Sequence, residues 1–219
     1  MKALILAAGY GTRLEREIEE LKSRNPSGFN RISHSVESRP KPLVLVAGKP
    51  AIEHTAANLE RAGVEDIIVV TNNKYHRQFE KWVENREGNA SITILNDSTD
   101  SNDKRLGAVK DLVFGLKEGE IDDDLIVIAG DNLLKIELRE LSDFFRKEHT
   151  SIVAAYREGD KSRIMRSACV DVDENNLLVG FEEKPGQPSS EWVCPALYIF
   201  TSDTIKLIKE MRLDSEKEQ

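Results

Sequence analysis

The chain opens on an apolar run, Leu4-Ile5-Leu6-Ala7-Ala8, that ends in Gly9-Tyr10-Gly11 and passes straight into Thr12-Arg13-Leu14. A buried strand that stops on glycines delivers bare backbone N–H groups to whatever lies beyond it. Glycine accepts φ > 0 and has no side chain to hold an anion away. A second basic segment, Arg39-Pro40-Lys41-Pro42-Leu43, follows after an interruption. Arg13 offers a fork and Lys41 a mobile point charge, so the two segments together form a recipe for holding phosphates. Prolines on both sides of Lys41 stiffen its backbone and fix where it points.

The rest of the chain alternates in the same manner. Residues 2–8, 67–71, 92–95 and 125–129 read as buried strands. Between them, residues 51–62 form an amphipathic stretch that stops at Gly63, 75–86 one that stops near Gly88, and 106–117 one that stops near Gly119. Strand–helix alternation predicts an α/β fold, a Rossmann-like, mostly parallel sheet flanked by helices. After Asp131 the texture changes. Residues 137–148 read as a helix with Leu138, Leu141, Phe144 and Phe145 on one face. Residues 151–156, 168–172, 177–181 and 192–200 read as strands, with a turn at Asp173-Glu174-Asn175-Asn176. A mixed sheet is therefore expected in the C-terminal third. The expectation is one domain over residues 1–219, with an insertion at 15–38 and a polar end, 212–219, that frays.

Charge limits the partners. With 31 Lys+Arg against 39 Asp+Glu, the net charge of −8 argues against a broad nucleic-acid-binding surface. A small anionic ligand then requires positive charge gathered locally, for which Arg13, Arg39, Lys41 and Lys184 are candidates. The apolar runs are strand-length and too short to span a bilayer, so no membrane partner is expected. The short run before Gly9 lacks the form of a signal peptide, and two cysteines without CxxC spacing suggest neither a disulfide framework nor a zinc site. A cytoplasmic location is the resulting expectation.

Two glycines after a strand also suit a plain tight turn or a dinucleotide site. The latter wants a third glycine where this chain has Leu14, and a ribose-binding acid where it has Thr71-Asn72. A third reading covers more of the chain. Residues 6–14 together with Pro40-Lys41-Pro42-Leu43 resemble the signature of the nucleotidylyltransferases that activate sugar 1-phosphates. Gly48-Lys49-Pro50, Ala129-Gly130-Asp131, Glu183-Lys184-Pro185 and Pro195-Ala196-Leu197-Tyr198 follow in that family's order.

The resemblance implies a nucleotide-diphospho-sugar transferase-like fold and transfer of a nucleotidyl group from an NTP to a sugar 1-phosphate, with release of pyrophosphate. It implies that the backbone around Ala8, Gly9 and Gly11 cradles the nucleotide, that Arg13 clamps its phosphates, and that Lys41 reaches the α-phosphate. Asp131, after a strand of unbroken apolar residues, would hold Mg²⁺; the alternative for it, or for Asn132, is a helix N-cap. Asn96 or Asp97, with the backbone near Gly107, would read the base. Glu183, with Glu182 as competitor, would bind sugar hydroxyls, Lys184 the sugar phosphate, and Ser167-Ala168-Cys169 would line the sugar pocket. The implied partners are an NTP and a sugar 1-phosphate, and homo-oligomerisation is left open.

The chain departs from the family pattern twice. The 15–38 connection is long; its start, 14–21, reads as helical, and Arg24, Arg31 and His34 make residues 25–36 either a lid or a solvated insertion. The family's further metal-binding acid has only Asp203 and Asp214 as candidates, so a truncated form or a metal held with less help is expected. A cytidylyltransferase for phosphocholine and a non-catalytic nucleotide-sugar sensor are the competing readings. Glu183-Lys184-Pro185 favours a sugar over the first, and retention of Arg13, Lys41 and Asp131 favours an enzyme over the second.

Overall fold

The computed structural model describes residues 1–24 and 38–211. The lid reading at 25–36, with Arg31 and His34, and the candidate acid Asp214 lie outside the described residues.

Strands β1 (Lys2–Leu6), β4 (Asp66–Thr71), β5 (Ser91–Asn96) and β6 (Leu125–Ala129) form the parallel part of a sheet. β7 (Ile152–Val153) and β12 (Leu197–Phe200) extend it, and the order among the described residues is β5-β4-β1-β6-β12-β7. β1 pairs in parallel with both β4 and β6, whereas β12 runs antiparallel to β6. Strands covered on both faces read as continuous apolar runs, and the period of two sorts their side chains into two cores. Ala3, Ile5, Ile67, Val69, Ile126 and Ile128 enter one core. There they meet Ile52, Ala56 and Leu59 of helix α2 (Ala51–Arg61), Phe79 and Trp82 of α3 (His76–Glu84), and Leu138 and Phe145 of α5 (Leu138–Glu148). Leu4, Ile68, Val70, Leu125 and Val127 enter the other, with Leu116 of α4 (Ala108–Glu118) and Ile205 of α7 (Ser202–Glu210). Each Val, Leu, Ile or Phe among them contributes about 1.5–3 kcal/mol on burial. The α/β sheet with helices on both faces is as the sequence predicts. Helix α1 (Thr12–Arg24) contains the expected helical stretch and buries none of its residues.

The C-terminal third differs from expectation in how its strands divide. Residues 151–156 are not one strand but β7 and β8 (Tyr156–Arg157), and 192–200 are β11 (Trp192–Cys194) and β12. β8 and β11 belong to a separate antiparallel sheet, β10-β9-β11-β8, with β9 (Ala168–Val172) and β10 (Leu178–Glu183). The short helix α6 (Lys161–Ile164) covers it, through Ile164 packed on Cys169 and Val193. The two crossing segments thus form one ribbon that leaves the main sheet and enters the small one. The corner is Pro195-Ala196, with Ala196 at φ 52°. No glycine marks that corner, which is why strand patterning alone runs through it. A two-stranded hairpin, β2 (Leu45–Val46) with β3 (Lys49–Pro50), leads into α2.

Candidate active site

Two segments of the chain meet beyond the carboxyl ends of β1 and β6, the place where open α/β sheets hold ligands. The Gly130 N–H donates to the Leu6 carbonyl at 2.8 Å. A Cβ on Gly130 would stand 3.1 Å from both the Ala7 Cβ and the Pro42 Cγ, so glycine lets the end of β6 lie against the proline segment. Lys41–Leu43 is a single 3₁₀ turn whose Pro42 and Leu43 are buried and anchor it. The Lys41 Nζ then stands 3.8 Å from Asp131 Oδ2, both side chains half-exposed. A cavity of about 130 Å³ has Gly9, Gly11, Lys41, Pro42 and Asp131 among its lining residues. Gly11, one of those lining residues, adopts φ 68°, a conformation L side chains avoid. Asp131 caps no helix: α5 begins only at Leu138, preceded by Glu137.

A larger hollow of about 680 Å³ lies against α2 and α3, beside Trp82 and Arg86. There Glu53 accepts from both the Trp82 indole and Arg86. It holds none of Gly9, Gly11, Lys41 or Asp131. In the smaller cavity, by contrast, an opposite-charge pair opens to solvent beside the glycine loop.

The other predicted residues are distributed as follows. Ala8 is buried behind the loop, while Gly9 is exposed. Arg13 is exposed on the first turn of α1 and is not among the lining residues of the cavity. Asn96 ends β5; its amide donates to Asn73 Oδ1 at 3.0 Å and accepts from the Ser98 N–H at 2.9 Å. Gly107, at φ 90°, precedes α4. Asp97, the other base-reading candidate, is buried, and neither it nor Asn96 is among the lining residues of the cavity. The β9–β10 register sets Glu183 opposite Ala168, and the Lys184 N–H donates to the Ser167 carbonyl at 3.0 Å. The two segments predicted to bind sugar are thereby neighbours. Lys184 sits at φ 50° and pairs with Glu183 at 2.7 Å, both exposed. Asp203 is distant from Asp131: Phe200 pairs with Leu125 at the start of β6, whereas Asp131 follows its end. There Asp203 pairs with Lys206 at 2.8 Å, which holds its carboxyl below the usual range.

Residues 35–219 match the family model described as Nucleotidyl transferase. The chain belongs to the nucleotidyl transferase family. It is 28% identical over 221 residues to the glucose-1-phosphate thymidylyltransferase of Neisseria gonorrhoeae, a match covering 97% of this chain and 65% of that protein. It is 27% identical over 231 residues to glucose-1-phosphate adenylyltransferase 1 of Vibrio cholerae serotype O1, covering 99% of this chain and 52% of that protein. The chain therefore spans between half and two thirds of those relatives' lengths. A solved structure of UDP-glucose pyrophosphorylase complexed with UDP-glucose superposes with a TM-score of 0.72 at 18% identity, over 99% of this chain and 82% of the other. At that identity the likeness is one of fold.

In this nucleotidyl transferase the glycine loop is held by residues whose importance local patterning does not disclose. Asn72, fully buried, donates to the Ala8 carbonyl at 2.8 Å and accepts from the Tyr75 N–H at 3.1 Å. The Tyr75 hydroxyl stands 3.3 Å from both the Tyr10 carbonyl and Glu15 Oε1, with one proton for the two acceptors. Behind the loop, Tyr10 meets Thr99, and Thr99 meets Asp97. The signal in the sequence is a pair of polar residues, Thr71-Asn72, directly after an apolar strand. Asn72→Ala leaves the buried Ala8 carbonyl without its donor and the Tyr75 N–H with only its 3.3 Å bond to the backbone carbonyl of residue 72, for an expected loss of about 1–3 kcal/mol, read from the urea midpoint. Burial also raises the pKa of Asp97, against the hydrogen bonds from Thr99, and pushes Asp111 of α4 up to about 7, with the neighbouring Asp97 charge adding to it.

Proposed function

We propose that this chain transfers a nucleotidyl group from an NTP to a sugar 1-phosphate, giving an NDP-sugar and pyrophosphate. The observation that carries the reading is the approach of Lys41 and Asp131 to 3.8 Å beside the glycine loop. An oxygen of the sugar phosphate attacks the α-phosphorus in line and the pyrophosphate bond breaks, so catalysis rests on positioning and charge neutralisation. Backbone at Ala8, Gly9 and Gly11 cradles the nucleotide. Lys41 neutralises the α-phosphate as charge builds, and Arg13 reaches the outer phosphates from α1. Asn96 and the backbone at Gly107 read the base. Glu183 and Lys184 exchange their mutual pair for sugar hydroxyls and sugar phosphate.

The donor set suits Mg²⁺. Among the described residues no cluster of three His, Cys, Asp or Glu forms a protein cage, and Asp131 is a half-exposed carboxylate beside a phosphate-sized cavity. Magnesium favours that arrangement, with one carboxylate and with phosphate oxygens and water completing the shell. When bound at Asp131, Mg²⁺ supplies charge neutralisation for the triphosphate. Among the described residues no helix is long and apolar enough to cross a membrane, and a cytoplasmic setting is part of this reading.

The test is pyrophosphate release with Mg²⁺ from each NTP against a panel of sugar 1-phosphates and phosphocholine. Turnover with at least one sugar 1-phosphate and none with phosphocholine is expected. Tight nucleotide-sugar binding without turnover from any pair would instead make the chain a sensor.

A further inference from the structure

The glycine loop is backed by a directional chain of hydrogen bonds that runs into the interior. Thr99 N and Oγ1 both donate to Asp97 Oδ1, at 2.7 and 2.8 Å. The threonine hydroxyl has one proton to give, so at the 3.0 Å contact between Tyr10 and Thr99 it is the tyrosine that donates. Tyr10 stands between Gly9 and Gly11, and its position is thus referred through Thr99 to Asp97. On its inner side Asp97 neighbours Asp111 of α4, where its charge disfavours a second one. Both residues are 8% exposed, and Asp97 Oδ2 and Asp111 Oδ1 are each closed to solvent with no hydrogen-bond partner. Two carboxylates only accept, so they cannot satisfy one another; a single proton between them satisfies both.

Among the described residues, no cation is set against the pair. Around α4, β1 and β4 present Leu4, Ile68 and Val70, and α7 presents Ile205. The charged groups that act here are Asp100, on the same loop, which disfavours charge on Asp97, and Lys74 before α3, whose field reaches Tyr10. Asp111 answers to Asp97 alone.

We propose that Asp97 and Asp111 share one proton and that this proton holds the nucleotide-binding glycine loop in place through Thr99 and Tyr10, which makes both acids positioning residues. The inference rests on the reading that the glycine loop binds the NTP. With the proton present the chain of donors is complete. Its loss sets two buried anions side by side, and the strain is relieved by moving the loop at Asp97 outward, which takes Thr99 off Tyr10. Asp111 is raised to about 7, so the holding arrangement is fully present well below that value and is lost as the pH rises through it.

Asp111→Asn and Asp97→Asn each mimic the one-proton state, because an amide donates where the shared proton stood. The whole chain is examined between about pH 6 and about pH 8.5 by hydrogen exchange over residues 7–12, corrected for intrinsic rates, and by NTP titration with ATP, CTP, GTP, UTP and dTTP. In the unmodified protein, loop protection and the affinity for the best NTP are expected to fall about tenfold over that range, within what a one-proton linkage allows. Both acid variants are expected to be flat. Tyr10→Phe leaves the pair titrating but cuts the link, so its loop protection is also expected to be flat. If the asparagine variants do not fold, Tyr10→Phe decides alone. A variant that follows the unmodified protein's pH course overturns the proposal. Loop protection that responds to pH while no NTP binds at any pH would keep the coupling and reject the nucleotide-site reading.

Discussion

Lys41→Met is expected to lower kcat/KM for pyrophosphate release by about 10²–10³-fold, the loss typical of removing one preorganised group aimed at developing charge. The turn that carries Lys41 is held by buried Pro42 and Leu43, not by the lysine itself. Its contact with Asp131 is half-exposed and contributes little to stability. The melting temperature should therefore stay where it is while turnover collapses. Lys41→Arg should recover only part of the loss, because a planar fork does not reproduce a compact ammonium in a cavity of about 130 Å³. Turnover within a few-fold of the unmodified protein would remove Lys41 from the mechanism.

Asp131→Asn carries a comparable loss, about 10²–10³-fold in turnover, and separates two effects of one charge. In the presence of Mg²⁺ the carboxylate holds the ion against the triphosphate, so the variant should need far more Mg²⁺ to reach half its maximal rate. Without Mg²⁺ the same carboxylate repels phosphate. NTP binding in chelator should then be unchanged or tighter in Asp131→Asn, the reverse of what a general structural lesion would give. Paired titrations in Mg²⁺ and in chelator check both signs. A variant that needs no more Mg²⁺ than the unmodified protein would reject the metal assignment.

Much of the architecture is legible because it is encoded over a few residues at a time. Residues 125–129 can only be an interior strand, being apolar without interruption between an acidic turn and Gly130-Asp131. The prolines beside Lys41 show the same economy, since their fixed φ acts on the one residue between them. The split strands were not legible. Residues 192–200 read as one strand because their side chains suit a strand throughout, and the change of sheet is made by Ala196 in a conformation alanine rarely adopts. The place of Asp203 was set by topology: β12 runs antiparallel to β6 and carries it to the end of that strand opposite Asp131.

By itself the sequence determined the class of fold, the strand that ends in the glycine loop, and the two charges that flank it. Each of these follows from a local pattern of apolar residues, glycines or prolines that leaves the backbone few choices. Tertiary structure decided which groups those charges meet. That Gly130 admits the Lys41 segment, that Asn72 and Tyr75 hold the loop, and that Asp97 lies beside Asp111 all depend on contacts between segments far apart in the chain. Such contacts are selected by the packing of both sheet faces at once, and no single segment carries that information.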